Sequence, residues 1–192
     1  LGVVEVTVLN DPRFIANGIN LRAPEQNQAA RYLAFTPAAL LLWHETTYLQ
    51  AKRVTVAVTE PGRPTAGRVV VEPNQIFIEK VQEQVDAYLD DCATQRILLP
   101  TGCPFGQEIR NRVSTPPSWS ISKYPTVTIS PGAADAQWLV PRAAATARLT
   151  VEVQSLFDGT VSTFDEEGQF TVAYTISLLG NDELIVTPVP EG

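Results

Sequence analysis

The close pair of cysteines, Cys92 and Cys103, is the feature of this chain that most directly indicates chemistry. A tetrahedral zinc site takes four Cys or His ligands, and the chain contains two cysteines and one histidine, so a structural zinc site within one chain fails on ligand count. A redox-active C-x-x-C pair is also absent. Two alternatives remain: an intrachain disulfide, or two buried thiols in a reducing compartment.

Of these two alternatives we expect the disulfide. Cys103 lies in PTGCPFG, a turn-rich segment that we expect near the surface rather than in a core. Closing so short a loop would stabilise the fold by roughly 3 kcal/mol in the chain-entropy description. Structural disulfides persist outside the reducing cytosol, so the sequence predicts an extracytoplasmic protein, either secreted or an anchored ectodomain.

His44, the single histidine, lies in the segment WHETT. This segment begins like the zinc motif H-E-x-x-H but lacks the second histidine. A Ser-His-Asp triad needs only one histidine, but no G-x-S-x-G elbow accompanies it. A general base also needs a cleft and a partner group. Because His44 follows an apolar stretch, we expect a structural residue.

Two acidic segments could in principle bind a cation. Asp86, Asp90 and Asp91 come near the end of a predicted helix and could form an acidic pocket; we expect a solvated face instead, although carboxylates there oppose the helix dipole. FDEEGQF (164–170) has the acid density of a calcium loop but not the spacing, so we interpret it as a hairpin tip. We predict no metal site and no cofactor.

Arg110 and Arg112 form a small basic spot in the sequence beside Trp119. Pairs of arginine and aromatic side chains can hold an anion or a sugar ring, so these three residues are a candidate contact for a ligand or a partner. The alternative is ordinary packing beneath a loop. Neither a glycine-rich phosphate loop nor an N-x-S/T sequon is present.

The composition limits the classes of partner that the protein is expected to bind. The chain has 192 residues, 44% of them apolar, and a net charge of −7, which disfavours binding to nucleic acid or to anionic lipid. The longest apolar run, AALLLW, is far shorter than the ~20 residues of a membrane span. The chain begins at Leu1 and has no methionine, so we expect a processed product, with a signal peptide or anchor upstream; removal of a tag is the alternative.

The first part of the chain, residues 1–72, is predicted to be β-rich. VVEVTV (3–8) and RVTVAV (53–58) alternate apolar and polar residues with the period of a strand. Residues 10–28 contain Pro, Gly and Asn, and we interpret them as a long loop. The short strands indicate a small β-sandwich or barrel.

One long helix is predicted over residues 74–95, with Asn74 as its N-cap. Apolar residues recur there at spacings of three and four: Phe77, Ile78, Val81, Val85, Leu89 and Cys92. Cys92 lies on this stripe in the last turn. A bond to Cys103 would therefore fix the end of the helix to the loop that follows it.

Period-two patterns return from residue 119 onward. Predicted strands are WSISKYPTVTIS, AQWLVP (136–141), ARLTVEVQSLF (147–157), QFTVAYTISLL (169–179) and ELIVTPV (183–189), with turns at DEEG and GND. The residues predicted to face inward are Leu149, Val151, Val153, Phe157, Phe170, Val172, Tyr174, Ile176 and Leu178.

These patterns predict an α+β protein that is mostly β. A small β-sandwich or barrel module over residues 1–72 would precede a domain over residues 73–192, in which one long helix packs on an antiparallel meander sheet.

Two resemblances add to this interpretation. The element order over residues 74–189 resembles the cystatin-like and NTF2-like folds, in which a curved sheet cradles a helix. In addition, DDCATQRILLPTGCPFG, followed by VPRAAATARLTVEV and a hairpin ending in VTPV, resembles membrane-anchored extracytoplasmic proteins of actinobacteria. That resemblance implies an N-terminal membrane anchor and an ectodomain at the cell envelope, and it carries over no site residues.

The preferred hypothesis for function is a non-catalytic extracytoplasmic ectodomain used for binding or for envelope structure. Its partner would be a protein or a small ligand at the cell envelope, not nucleic acid, and it would reach the membrane only through an upstream anchor.

Two alternatives stay open. An NTF2-like small-molecule enzyme or ligand-binding cavity would use Asp, Tyr or His44 as acid and base, and burial of His44 in the N-terminal core would count against this version. A protease-inhibitor-like module would need an exposed glycine near the N-terminus and a projecting tip, for which QSLFDGTVS is the candidate.

Overall fold

The computed structural model describes residues 1–179 and 183–189, which form a β-rich fold with one helix packed against antiparallel sheets. The strands of the first part are β1 (Gly2–Leu9), β2 (Arg13–Ala16), β3 (Ile19–Arg22), β4 (Ala29–Ala34), β5 (Ala38–Glu45), β6 (Leu49–Val58), β7 (Pro64–Val70) and β8 (Glu72–Pro73). Helix α1 (Gln75–Ala93) follows, and then β9 (Arg112–Val113), β10 (Ser118–Lys123), β11 (Ser130–Pro131), β12 (Gln137–Gln154), β13 (Val161–Leu178) and β14 (Leu184–Pro188). The predicted α+β, mostly β class is confirmed.

The strands form three sheets. The first has the order β4-β1-β7, with β1 antiparallel to β4 and parallel to β7. The second has the order β3-β2-β5-β6-β8 and is antiparallel throughout. The third has the order β10-β12-β13-β14, with β9 and β11 also pairing with β12.

Cα proximity divides the chain into two compact units. The first unit comprises Leu1–Glu79, Ile129–Leu139 and Ile176–Ile185, and the second comprises Lys80–Thr128, Val140–Thr175 and Val186–Gly192. Because each unit draws on several chain segments, this division does not test whether residues 1–72 and 73–192 fold as independent domains. That boundary stays a prediction.

The first unit contains a sandwich of two sheets. β1 buries Val4, Val6 and Val8, as its alternation predicts. The sheets approach closely at Gly67 of β7, where an added Cβ would lie 2.8 Å from Val56 Cγ2 and 2.9 Å from Leu42 Cδ1. The two valine-rich faces can pack this tightly because glycine occupies that position.

Residues 10–28, predicted to be a long loop, instead contain the hairpin β2–β3. Ala16 pairs with Ile19, and the two residues between them, Asn17 and Gly18, both have positive φ, at 47° and 86°. This is the backbone that a two-residue hairpin turn of the Asn-Gly type requires. The prediction of irregular structure was wrong because it treated Asn and Gly only as strand breakers.

Helix α1 is confirmed with its predicted cap. The side-chain oxygen of Asn74 accepts a hydrogen bond of 3.0 Å from the backbone N–H of Phe77. Phe77 is fully buried and meets the ring of Trp138 edge-on at 6.1 Å. Four more residues of the predicted stripe are also buried, namely Val81, Val85, Leu89 and Cys92, whereas Ile78 is only half-buried.

Two long strands, β12 and β13, form the centre of the third sheet, where several short strands were predicted. β12 runs unbroken through both AQWLVP and ARLTVEV, and β13 begins at Val161, so DEEG and FDEEGQF lie within a strand and not at a hairpin tip. The turn between them falls near Ser155–Thr160, where Phe157 is fully exposed instead of buried. The predicted turn at GND lies outside the described residues.

Among the described residues, no helix combines the length and the apolar character needed to cross a membrane.

Candidate functional site

The predicted bond between Cys92 and Cys103 is confirmed. Their sulfur atoms lie 2.07 Å apart and their Cα atoms 5.8 Å apart. Cys92 is buried on α1, and Cys103 lies half-buried in the loop that follows the helix. A structural disulfide is typical of proteins that mature in an oxidising compartment.

The loop that closes the disulfide is held by further hydrogen bonds to the helix end. The side-chain amide of Gln95 donates to the carbonyl of Thr101 at 3.1 Å and accepts from its N–H at 2.8 Å. The hydroxyl of Tyr88 donates to the carbonyl oxygen of Gly102. Gly102 has a φ of 72°, a left-handed conformation that glycine adopts without strain. These hydrogen bonds, together with the disulfide, hold residues 101–103 against the end of α1.

An aromatic cluster lies between this loop and the sheet. Phe105 packs against Trp119 and Phe170, with ring centroids 5.0 Å and 5.2 Å apart. Trp119 is 8% exposed, and its indole N–H donates to the carbonyl oxygen of Ile97 at 2.8 Å. The indole N–H is thus already used, but part of the cluster remains open to solvent.

Two adjacent cavities in the second unit flank the loop, and we call them together the disulfide groove. The larger, of about 550 Å³, is lined in part by Tyr88, Gly102, Cys103, Tyr174 and Val189. The smaller, of about 340 Å³, is lined in part by Phe105, Trp119, Glu166, Gly168 and Phe170. Pro104 and Thr171 line both cavities.

Tyr174 lines the groove and carries a buried hydroxyl for which the described residues supply no hydrogen-bond partner. The side chain is 3% exposed, its ring meets Tyr88 edge-on at 6.3 Å, and its hydroxyl oxygen makes no hydrogen bond to the part of the chain that the structure describes. Burial, with a smaller effect of Tyr88 and Asp86, raises the pKa of Tyr174 strongly. The hydroxyl therefore stays protonated and can donate to an acceptor.

The predicted contact residues are only partly brought to this groove. Trp119 lines the smaller cavity, whereas Arg110 and Arg112 are exposed and do not line it. Arg112 belongs to β9, opposite Gln154 of β12. A joint role of the two arginines with Trp119 stays a prediction.

The acidic residues near the helix end are engaged in separate hydrogen bonds. Gln82 donates to Asp86 at 2.8 Å, and the hydroxyl of Tyr124 donates to Asp90, which raises the pKa of Tyr124 to about 12. Asp91 is exposed. Across residues 1–179 and 183–189, no group of three or more Asp, Glu, His or Cys side chains has the geometry to hold a metal ion.

His44 is buried in the first unit at 3% exposure, and it does not line the disulfide groove. Its Nδ1–H donates to the carbonyl oxygen of Arg13 at 2.7 Å, and Nε2 is buried without a partner among the described residues. Arg13 also binds the fully buried carboxylate of Asp11 at 2.6 Å. This burial removes His44 from the acid–base role that an NTF2-like enzyme would give it.

The hairpin tip required by a protease-inhibitor-like module is present, but the exposed glycine is not found at Gly2. Leu156 and Phe157 project from the turn between β12 and β13 with 75% and 100% exposure. Gly2 is buried in β1, and an added Cβ there would lie 2.3 Å from Val58 Cγ1. Protease inhibition stays an untested alternative.

The sequence patterns placed Tyr174 inward but did not indicate that this residue would line a cavity. The signal that could have identified the groove is PTGCPFG, where Gly102 allows the loop to turn and Phe105 follows the cysteine closely. Its partners Tyr88 and Phe170 come from distant segments, so no local pattern joins them.

The disulfide groove is suited to noncovalent binding. It offers aromatic and apolar surface, one buried hydroxyl donor at Tyr174 and a carboxylate at Glu166. No protein-family model, curated protein or solved structure matches this chain, and the two resemblances noted in its sequence stay predictions.

Proposed function

We propose that the chain is a non-catalytic binding domain of an extracytoplasmic protein, and that the disulfide groove is its binding site. A non-catalytic extracytoplasmic ectodomain is also the function that the sequence alone favoured.

The observation that carries the proposal is the cavity of about 550 Å³ lined by Tyr174, a residue whose buried hydroxyl has no hydrogen-bond partner among the described residues. Leaving a buried polar group without a hydrogen bond costs about 1–3 kcal/mol. An acceptor on a bound molecule would satisfy this donor while its apolar part covered Tyr88 and Pro104. Ligand sites commonly combine an apolar lining with a few such polar groups.

The disulfide supports both the site and the compartment. It joins α1 to the loop that carries Gly102, Cys103 and Pro104, so one wall of the groove depends on an oxidised pair of cysteines. Such a wall is stable at the cell envelope or outside the cell, where a secreted or anchored ectodomain lies. The net charge of −7 favours a protein or a small neutral or basic ligand over nucleic acid.

Binding at the groove is tested with two small aromatic probes followed by NMR of the ¹⁵N-labelled protein. N-methylbenzamide carries a carbonyl acceptor, and ethylbenzene has a ring of the same size without one. We expect both to shift the amide signals of Gly102, Cys103 and Tyr174. Absence of shifts at these residues, or shifts confined to the first unit, would overturn the site.

Two matched variants test the role of the hydroxyl. Tyr174→Phe should weaken N-methylbenzamide about fivefold, the equivalent of one ordinary hydrogen bond, and leave ethylbenzene unchanged. Tyr32→Phe is the control, since Tyr32 also has a buried hydroxyl without a partner among the described residues but lies in the first unit. Equal weakening of both probes by Tyr174→Phe would show that the hydroxyl donates to no ligand.

The compartment is tested in the cell that makes the protein. A maleimide reagent that increases the mass of each free thiol is added to intact cells before and after reduction. We expect Cys92 and Cys103 to react only after reduction. Labelling of both without a reductant would contradict the extracytoplasmic assignment.

A further inference from the structure

Strand β13 has one paired edge and one open edge over most of its N-terminal half. β12 lies along one side, and β14 covers the other side only near the C-terminal end of β13. The last described contact on that side is the hydrogen bond of 2.9 Å from Val189 N–H to the carbonyl oxygen of Ala173. Among residues 1–179 and 183–189, no strand pairs with residues 163–169 along this edge.

The direction of the backbone groups along this edge follows from two hydrogen bonds. Ser155 N–H donates to the carbonyl oxygen of Thr160 at 2.9 Å, so residue 160 directs its backbone groups toward β12. Ala173 directs its carbonyl toward β14 instead. Successive residues of an antiparallel strand alternate between the two sides. The residues that direct N–H and C=O outward are therefore odd-numbered: Thr163, Asp165, Glu167 and Gln169.

The disulfide groove lies directly beside this edge. Glu166, Gly168 and Phe170 alternate with the outward-directed residues and line the smaller cavity. An added strand would place every second side chain beside these three residues at the margin of the cavity, because side chains of neighbouring strands on one face lie side by side. A Cβ added at Gly168 would meet no atom within 4 Å, so space for an incoming side chain is open there.

The charge along this edge indicates which kind of polypeptide segment could pair with it. Asp165, Glu166 and Glu167 are consecutive exposed carboxylates; Asp165 accepts two hydrogen bonds of 2.6 Å from Arg148, and no described residue forms an ion pair with Glu166 or Glu167. A second copy of this chain would bring the same acidic edge against its own, which is unfavourable. A basic segment would meet complementary charge.

We propose that the edge formed by residues 163–169 of β13 accepts an extended, basic segment of another polypeptide as an added strand. Backbone hydrogen bonds to the odd-numbered residues supply affinity, and alternate apolar side chains of the segment enter the smaller cavity. This inference rests on the proposed binding function and names its partner class. It adds the strand edge, which the groove alone does not require.

The first test is selection from a phage-displayed library of short random peptides on the intact, oxidised protein. We expect enriched sequences to alternate Lys or Arg with apolar residues and to lack proline at the central positions. Enrichment of acidic or proline-rich sequences, or the absence of any enrichment, would overturn the inference.

The second test uses a synthetic peptide from that selection and leaves the protein unchanged. Each amide of the peptide is methylated on nitrogen in turn. We expect methylation at alternate positions to weaken binding about tenfold or more, because those N–H groups donate to β13, and at the intervening positions to have little effect. Uniform sensitivity or insensitivity along the peptide would exclude strand addition.

Protein variants then test whether the peptide binds at this edge of β13. Gly168→Val fills the smaller cavity, and Glu166→Gln/Glu167→Gln removes two charges; each should weaken the selected peptide about fivefold or more, with the charge variant also less sensitive to salt. Glu72→Gln, at an exposed position in the first unit, is the control and should leave binding unchanged. An unchanged affinity in both groove variants would place the peptide elsewhere.

Three further outcomes distinguish failure of this inference from failure of the function on which it rests. If the aromatic probes bind the disulfide groove and no peptide binds β13, strand addition is overturned while the binding function stands. If sedimentation shows a dimer that Glu167→Pro abolishes, the occupant is a second copy and the basic-segment assignment is overturned. If neither probe nor peptide binds, both proposals fail.

Discussion

The hydroxyl of Tyr88 donates a hydrogen bond to the carbonyl oxygen of Gly102, so the last turns of α1 hold the disulfide loop through a side chain as well as through Cys92. The two connections differ in kind. The disulfide limits the unfolded chain, whereas the hydrogen bond acts only when the loop already lies on the helix.

Removal of the cross-link should lower stability more than removal of the hydrogen bond. We expect Cys92→Ala/Cys103→Ala to lower the free energy of unfolding by about 3 kcal/mol, and Tyr88→Phe to lower it by about 1 kcal/mol. Urea unfolding of the three proteins measures both. Reduction of the unmutated protein is the control and should reproduce the loss of the double variant. A double variant as stable as the oxidised protein would show that the other loop contacts suffice.

The cap of α1 can be separated into its two hydrogen bonds. The side-chain oxygen of Asn74 accepts from the N–H of Phe77, and its amide donates to the carbonyl of Thr47 at 2.9 Å. Asn74→Ala should lower the unfolding free energy by about 1–2 kcal/mol, whereas Asn74→Asp keeps the acceptor and should recover about half of the loss. Thermal unfolding measures the difference, and equal losses in the two variants would assign the effect to the Thr47 bond.

The ion pair between Asp11 and Arg13 predicts an order of stabilities. Asp11 is fully buried, whereas the side chain of Arg13 is 43% exposed. Arg13→Ala leaves a buried carboxylate without its partner, and we expect a loss of about 3 kcal/mol or more. Asp11→Asn keeps an acceptor for the Arg13 N–H and leaves a guanidinium that water can reach, so about 1–2 kcal/mol is expected. Denaturant unfolding that gives the reverse order would contradict this account.

His44 predicts a dependence of stability on pH in the mildly acidic range. Burial lowers the pKa of His44, although its bond to Arg13 and the charge of Asp11 oppose the shift. As pH falls below about 6.5, the unfolded chain takes up a proton that the folded chain does not. The unfolding free energy should therefore decrease as pH falls through this range, by up to about 1.4 kcal/mol per pH unit.

Denaturant unfolding between about pH 7 and pH 5 measures this slope. His44→Asn is the matched variant, since an amide can still donate to the carbonyl of Arg13 but does not titrate. We expect a flatter profile in the variant. Parallel profiles for the two proteins would assign the slope to carboxylates instead.

The sequence predicted the elements whose residues repeat with a clear period. The stripe from Phe77 to Leu89 indicated α1, and the alternation of Val4, Val6 and Val8 indicated a half-buried strand. The disulfide was predictable because the composition excluded a zinc site and a redox C-x-x-C pair, and because the turn-rich segment around Cys103 favoured a disulfide over buried thiols. Each of these inferences uses information contained in one short segment.

The long strands were harder to predict because their burial changes along their length. β13 is exposed over most of residues 161–169 and buried at Val172, Tyr174 and Ile176. Its first half shows no apolar alternation, so DEEG suggested a turn. A strand that is exposed on both faces requires no apolar alternation, so its sequence carries no period-two signal.

The groove could not be predicted because its walls come from segments far apart in sequence. Tyr88, Gly102 and Tyr174 meet only after α1, the loop and β13 have taken their places. Nor does any local pattern indicate that the hydroxyl of Tyr174 is left without a partner. Whether a buried hydroxyl finds a hydrogen-bond partner depends on the three-dimensional packing around it.

The order β4-β1-β7 has a consequence for how the nascent chain matures. β1 is synthesised before both of its partners, yet it occupies the centre of its sheet, antiparallel to residues 29–34 and parallel to residues 64–70. One flank of β1 must wait until the chain has emerged through Val70. Until then a valine-rich strand has one side with unpaired backbone N–H and C=O groups.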